Sequence, residues 1–327
     1  MSDVFGVRVT AELEITDSLI IVCNNLSGQT EPVVTFADEY FFVAWLDGAF
    51  ETRIPVIKVA RVDTQGTVLD MGITIDSGDE HPDIAFDGSR CLVTWCEEFS
   101  GVKGRFVNAA CQPEGQTIEI ATTQGTSTAP VVEYGTPHYI VVWPDFCPLG
   151  TDLDIYGQIV SIDGQLVGDR IQIADGPAIQ NYVAAAFDGN EFLVVWVEDA
   201  DHVYGRFISV NGVPNGPKFL ISDNSSYERQ HPSVHAGPNS FLIAWNEYHD
   251  DFDIYGNLDI LTGIDELNVE IPKGGFTMSS SQVRKYLDLN TRLYDALGRR
   301  ITKGPIAPGI YFLETKKKEL TKVVVIR

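Results

Sequence analysis

The sequence predicts an all-β chain: a five-bladed β-propeller built from four-stranded repeats of about fifty residues, followed by a small β-sandwich. Three observations carry that prediction. The tryptophans are Trp45, Trp95, Trp143, Trp196 and Trp245, which are 50, 48, 53 and 49 residues apart, as a repeat array requires. Each ends an apolar strand, namely YFFVAW, CLVTW, YIVVW, FLVVW and FLIAW, whose alternating sets are both apolar. Phe192, Val194 and Trp196 take one face while Leu193, Val195 and Val197 take the other, so the strand must be covered on both sides. Finally, no apolar pattern of period 3.6 runs for ten residues before residue 262.

Each Trp strand is preceded by a shorter strand and a tight turn: VVTFADE (33–39), DIAFDGS (83–89), VVEYGTP (131–137), AAAFDGN (184–190) and SVHAGPN (233–239). Asp87-Gly88 and Asp188-Gly189 predict type I′ hairpins, a turn that needs positive φ at both central residues. A third strand follows, clearest as KGRFVN, DIYGQIVS, VYGRFIS and DIYGNLDI, and a fourth as IEIA, IQIA and FLIS. Neighbouring blades of a propeller would cover both faces of each unit; a single β-sandwich would not account for five of them. At the N-terminus, residues 5–22 read as the third and fourth strands of a unit. Ring closure then predicts that Leu19 to Cys23 completes the Trp245 blade, with Asn268 to Ile271 as the rival for that place.

Charge divides the chain. Residues 1–261 hold 11 Lys and Arg against 39 Asp and Glu, a balance of −28, whereas residues 262–327 hold 12 against 7, a balance of +5. The sequence therefore predicts a propeller over 1–261, a linker over 262–274 and a β-sandwich over 275–327. So acidic a body repels nucleic acid and anionic membrane surfaces. No run of eighteen apolar residues predicts a membrane span, and MSDVFGVRVT lacks the pattern of a signal peptide. The five cysteines, Cys23, Cys91, Cys96, Cys111 and Cys147, show no metal-ligand spacing and lie in or beside apolar strands, so buried thiols are expected.

The basic tail carries Leu293-Tyr294-Asp295, Leu297-Gly298-Arg299-Arg300, Pro308-Gly309-Ile310-Tyr311-Phe312 and a terminal strand from Lys322 to Arg327. In that order and spacing it resembles the C-terminal sorting domain of proteins exported by the type IX secretion system. The resemblance implies the secretion machinery as a partner and an extracellular or bacterial cell-surface location. The Asn-Pro-rich opening of such domains is replaced here by MSSSQVRKYLDLN.

Acidic loops follow the Trp strands. Asp152, Asp154, Asp251 and Asp253 sit at alternate positions and could ligate calcium through hard oxygens, without the spacing of an EF-hand; no other cofactor is indicated. A solvated acidic rim is the plainer reading of these loops. Asp83 and Glu133 break the repeat on first strands, which in a propeller line the central tunnel, and with Asp145 further out they are the candidate catalytic carboxylates. His81-Pro82 and His231-Pro232 mark equivalent entries to two first strands. Tyr156, Tyr204 and Tyr255, each followed by Gly, are candidate glycan-stacking residues whose other reading is packing between blades. The function expected first is a monomeric, secreted or surface-displayed, non-catalytic protein binding a glycan or another protein. The alternative is an extracellular enzyme acting on glycosides, and convergence of Asp83 and Glu133 would distinguish the two.

Overall fold

Apolar side chains on both faces of each Trp strand leave no face for water, and the fold buries both in the first four blades, while in the Trp245 strand Leu242 stays 47% exposed. The computed structural model describes residues 2–10, 15–16, 19–48, 55–78, 80–97, 101–122, 129–146, 153–223, 225–237, 240–261, 276–279, 292–295, 300–301, 309–314 and 320–326. Cys147, Asp152, the 262–274 linker and Asn268 to Ile271 lie outside the described residues. The chain divides into two compact units, Met1–Gly263 and Ile264–Arg327.

The first unit is a five-bladed propeller of antiparallel sheets. It is preceded by β1 (Val4–Gly6) and β2 (Ile20–Cys23). Blade 1 is β3 (Gln29–Ala37), β4 (Tyr40–Asp47), β5 (Val56–Asp63) and β6 (Ile73–Ser77); blade 2 is β7 (Glu80–Phe86), β8 (Arg90–Glu97), β9 (Gly101–Asn108) and β10 (Pro113–Thr122). Blade 3 is β11 (Val131–Gly135), β12 (His138–Phe146), β13 (Leu153–Ser161) and β14 (Leu166–Ala174). Blade 4 is β15 (Gln180–Phe187), β16 (Glu191–Glu198), β17 (His202–Ser209) and β18 (Pro214–Leu220). Blade 5 has three strands among the described residues, β19 (Glu228–Ala236), β20 (Ser240–Tyr248) and β21 (Phe252–Leu261).

Every Trp faces the preceding blade. Trp95 packs on Leu46, Ile57 and Ile75 of blade 1, Trp143 on Phe106 and Ile120 of blade 2, and Trp196 on Ile155 and Ile173 of blade 3. Trp45 has no earlier full blade, and Val4, Val22 and Cys23 of β1 and β2 cover it instead. This arrangement corrects the expected ring closure: β2 pairs with β1 in a two-stranded sheet and does not complete the Trp245 blade. A strand completing that blade would pair with the outer edge of β21, and among the described residues none does.

The Asp-Gly turns also differ from expectation. Gly88 (φ 95) and Gly189 (φ 99) have positive φ but Asp87 and Asp188 do not, so neither is a type I′ turn centred on Asp-Gly. Each Asp instead uses its carboxylate to accept the N–H groups that follow, Ser89 (2.7 Å) and Arg90 (2.8 Å) for Asp87, which centres the turn one residue later. The glycine after each third-strand Tyr or Lys has a packing role. A Cβ on Gly205 would come within 2.8 Å of Ile221 Cδ1, the isoleucine that closes over blade 4 from its outer edge.

In the second unit, the described strands are β22 (Phe276–Ser279), β23 (Arg292–Asp295), β24 (Arg300–Ile301), β25 (Gly309–Glu314) and β26 (Leu320–Ile326). They form one sheet in the order β22-β26-β25-β23-β24, with β22 parallel to β26. The second layer of the expected sandwich is not among the described residues.

Candidate active site in the central tunnel

Within the sheets the innermost strand of each blade pairs only with its own second strand, so its other edge is left facing the propeller axis. Those five strands enclose a tunnel of about 620 Å³, lined at equivalent positions by Val33, Asp83, Val131, Ala184 and Ser233. The register places each of these opposite the residue just before the Trp, so Asp83 departs from the repeat at that position, and Glu133 departs at its own, where the other blades carry Thr35, Ala85, Ala186 and His235. Glu133 lies two residues along β11 from Val131, one pleat deeper.

Asp83 reaches across the seam to blade 3, where its Oδ2 accepts the Val132 N–H at 2.8 Å and satisfies an edge amide that the sheet leaves unpaired. Both carboxyls touch the tunnel space, yet protein walls surround them closely. That poor solvation pushes Asp83 up to about 6 against two stabilising backbone N–H bonds, from Val132 and Ile84. Glu133 is pushed up to about 7, first by the same burial and then by the charge of Asp83, with a bond from the Phe187 backbone opposing. Asp83 and Glu133 are thus brought together electrostatically in one cavity.

Asp145 is placed elsewhere. It lies at the end of β12, 3% exposed, and pairs with Arg170 at 2.6 Å away from the tunnel lining. Its position belongs to a pattern that sequence reading missed. Each Trp is followed at the second residue by an acid, and every one of those acids holds a cation: Asp47 with Lys58, Glu97 with Lys103, Asp145 with Arg170, Glu198 with Lys218 and Glu247 with Arg229. These acids are shielded and paired, which corrects the solvated-rim reading for them. The Trp-x-acid spacing was the available signal.

The same cations account for two of the tyrosines. Arg170 stacks over Tyr156 at 3.5 Å and Lys218 over Tyr204 at 4.8 Å, so both rings are covered by their own blade. Tyr255 is instead 38% exposed and stacks on His249 at 5.3 Å. Among the calcium candidates, Asp154 is buried and accepts the Tyr156 hydroxyl at 3.3 Å, while Asp251 accepts the Phe252 N–H at 2.8 Å. Asp253 pairs in register with Glu247. Among the described residues no three His, Cys, Asp or Glu side chains are grouped to hold a metal ion.

Glu31 was also missed. Glu31, His81, Tyr182 and His231 all have φ between 49° and 55°, and each sits at the register shift that opens an innermost strand. Of these, Glu31 and His81 line the mouth of the tunnel cavity. There Glu31 accepts the His81 backbone N–H at 2.7 Å and pairs with its ring at 3.2 Å; these bonds hold Glu31 below and His81 above their ordinary values. Glu31-Pro32 matches His81-Pro82 and His231-Pro232 in sequence, and that alignment would have found it.

No family model matches the chain, and no curated protein does. Some solved structures are similar to the chain. The Bacillus subtilis arabinanase Arb43A is 15% identical over 71% of this chain and 74% of its own, with a TM-score of 0.41. A thermostable family-43 glycoside hydrolase is 13% identical over 74% and 92%, with a TM-score of 0.44. TolB from Acinetobacter baumannii is 15% identical over 76% and 59%, with a TM-score of 0.39. The expected non-catalytic binding protein is corrected. The tunnel itself overturns it: Asp83 and Glu133, whose convergence was to distinguish the two readings, line one cavity, and the charge of Asp83 acts on Glu133.

Proposed function

We propose that the protein is a glycoside hydrolase whose reacting groups are Asp83 and Glu133. One observation carries the reading: two carboxyls line one tunnel with values raised to about 6 and about 7. Between those values the pair holds a single proton, mostly on Glu133. Glu133 then serves as the general acid that protonates the leaving glycosidic oxygen. Ionised Asp83 faces the developing positive charge on the sugar, as base for an attacking water or as nucleophile. The tunnel volume of about 620 Å³ falls within the ~300–1,000 Å³ typical of small-molecule sites. The tail's resemblance to a sorting domain supports an exported enzyme acting on extracellular glycans.

The test is hydrolysis of 4-nitrophenyl and 2,4-dinitrophenyl glycosides, with soluble arabinan and arabinoxylan, by the full chain. Asp83→Asn should abolish turnover of all substrates. Glu133→Gln should lose about 10²–10⁴-fold on the polysaccharides and far less on the dinitrophenyl glycosides, whose leaving group needs no proton. Activity should follow a bell with limbs near pH 6 and pH 7. No hydrolysis across the panel, or wild-type rates in Asp83→Asn, refutes the reading.

A further inference from the structure

Blade 5 departs from the pattern that covers Tyr156 and Tyr204. Its Trp-x-acid carboxylate, Glu247, is saturated by Arg229 at 2.7 Å, Trp245 Nε1 at 2.9 Å and His249 Nε2 at 2.9 Å. No cation is left over to cap the tyrosine. Instead His249, held by Glu247, lies between two tyrosines, 3.8 Å from the ring of Tyr227 and 5.3 Å from that of Tyr255. Tyr227 and Tyr255 remain 41% and 38% exposed. The register Glu228↔Tyr248 puts this stack at the end of the blade where β19 begins. That is the tunnel-mouth end, where Tyr182 and His231 form a second ring pair at 4.5 Å.

Tyr227 and His231 are four residues apart in a chain that bulges at His231, so the two ring clusters follow one another along the backbone at most ~14 Å apart. A preorganised aromatic ring offers a flat apolar face to the C–H side of a pyranose or furanose, and neighbouring carboxylates such as Asp251 accept hydroxyl protons. We propose that Tyr182, His231, Tyr227 and Tyr255 form a track for a polysaccharide chain running over blade 5 to the tunnel mouth, so that the substrate is a polymer. The placement of the reaction at its end rests on the glycosidase reading; the binding itself does not.

Native affinity electrophoresis of full-length Glu133→Gln in gels containing arabinan, arabinoxylan or xyloglucan tests the track. At least one polymer should slow the protein. Adding Tyr227→Ala and Tyr255→Ala should weaken retention about tenfold, the loss expected for one or two stacked rings. Tyr227→Phe and Tyr255→Phe should keep retention, which separates lost stacking from lost folding. Equal retention of the double Ala variant, retention by none of the polymers, or salt-sensitive retention by poly-lysine in their place overturns the track. Tyrosine-dependent retention by a wild-type chain that cleaves no glycoside would support the track while removing the catalytic reading.

Discussion

Replacing Glu133 by Gln should stabilise the protein in alkaline solution while removing its acid catalyst. Burial raises Glu133 from 4.5 to about 7 in the folded chain, so the folded state holds a proton that the unfolded chain has released. Below the unfolded value both states are protonated and the group costs nothing. As pH rises through the window from 4.5 to 7 the cost accumulates, and above 7 it is fully present at about 3 kcal/mol, from 1.36 kcal/mol per pH decade. At pH 5 it is below about 1 kcal/mol by the same relation. Urea unfolding followed by tryptophan fluorescence at pH 5 and pH 8 reads the difference. With a slope of about 2–3 kcal/mol per molar, the Glu133→Gln midpoint should exceed wild type by about 1 M at pH 8 and far less at pH 5. A midpoint difference that is the same at both pH values would show that Glu133 is ordinarily solvated, and would remove the electrostatic basis of the proposed acid.

Three further outcomes follow from the packing. Arg229→Met leaves Glu247 buried without its cation and should cost about 3–5 kcal/mol, measured by the same urea titration, although Asp223 on the other side of Arg229 is exposed. Gly101→Ala should lower Tm by several degrees, because φ is +124° and the new Cβ would lie 2.0 Å from the Ala121 carbonyl oxygen. Val203→Ser should cost about 2–4 kcal/mol while Ile254→Ser changes stability by less than about 0.5 kcal/mol. The two residues occupy the same place in successive blades, yet Val203 is fully buried and Ile254 is 74% exposed.

Much of the fold was legible because each blade is a local unit. The strand order within blades 2, 3 and 4 follows from hairpins whose turns and apolar runs lie within fifty residues, and Phe192 to Trp196 announces its two-sided burial by composition alone. The tunnel acids were legible for a related reason: Asp83 stands where other repeats carry Val, Ala or Ser, Glu133 where they carry Thr, Ala or His, and a repeat shows its exceptions. The ends were less legible. Whether β2 joins blade 5 depends on whether it pairs with β1, close by in sequence, or with the outer edge of β21, more than two hundred residues away.

By itself the sequence determined the repeat, the two-faced strands and the positions where charge enters an apolar pattern, since these depend on side-chain chemistry and spacing along one strand. Only the tertiary structure decided which charges are compensated. Asp145 and Asp83 are the same residue type on neighbouring blades of the array. Arg170 arrives beside the first from another strand of its blade, whereas the second faces a confined tunnel and the backbone of the next blade. An ionised carboxyl is stable only where cations, N–H groups or water approach it, and those neighbours are supplied by folding.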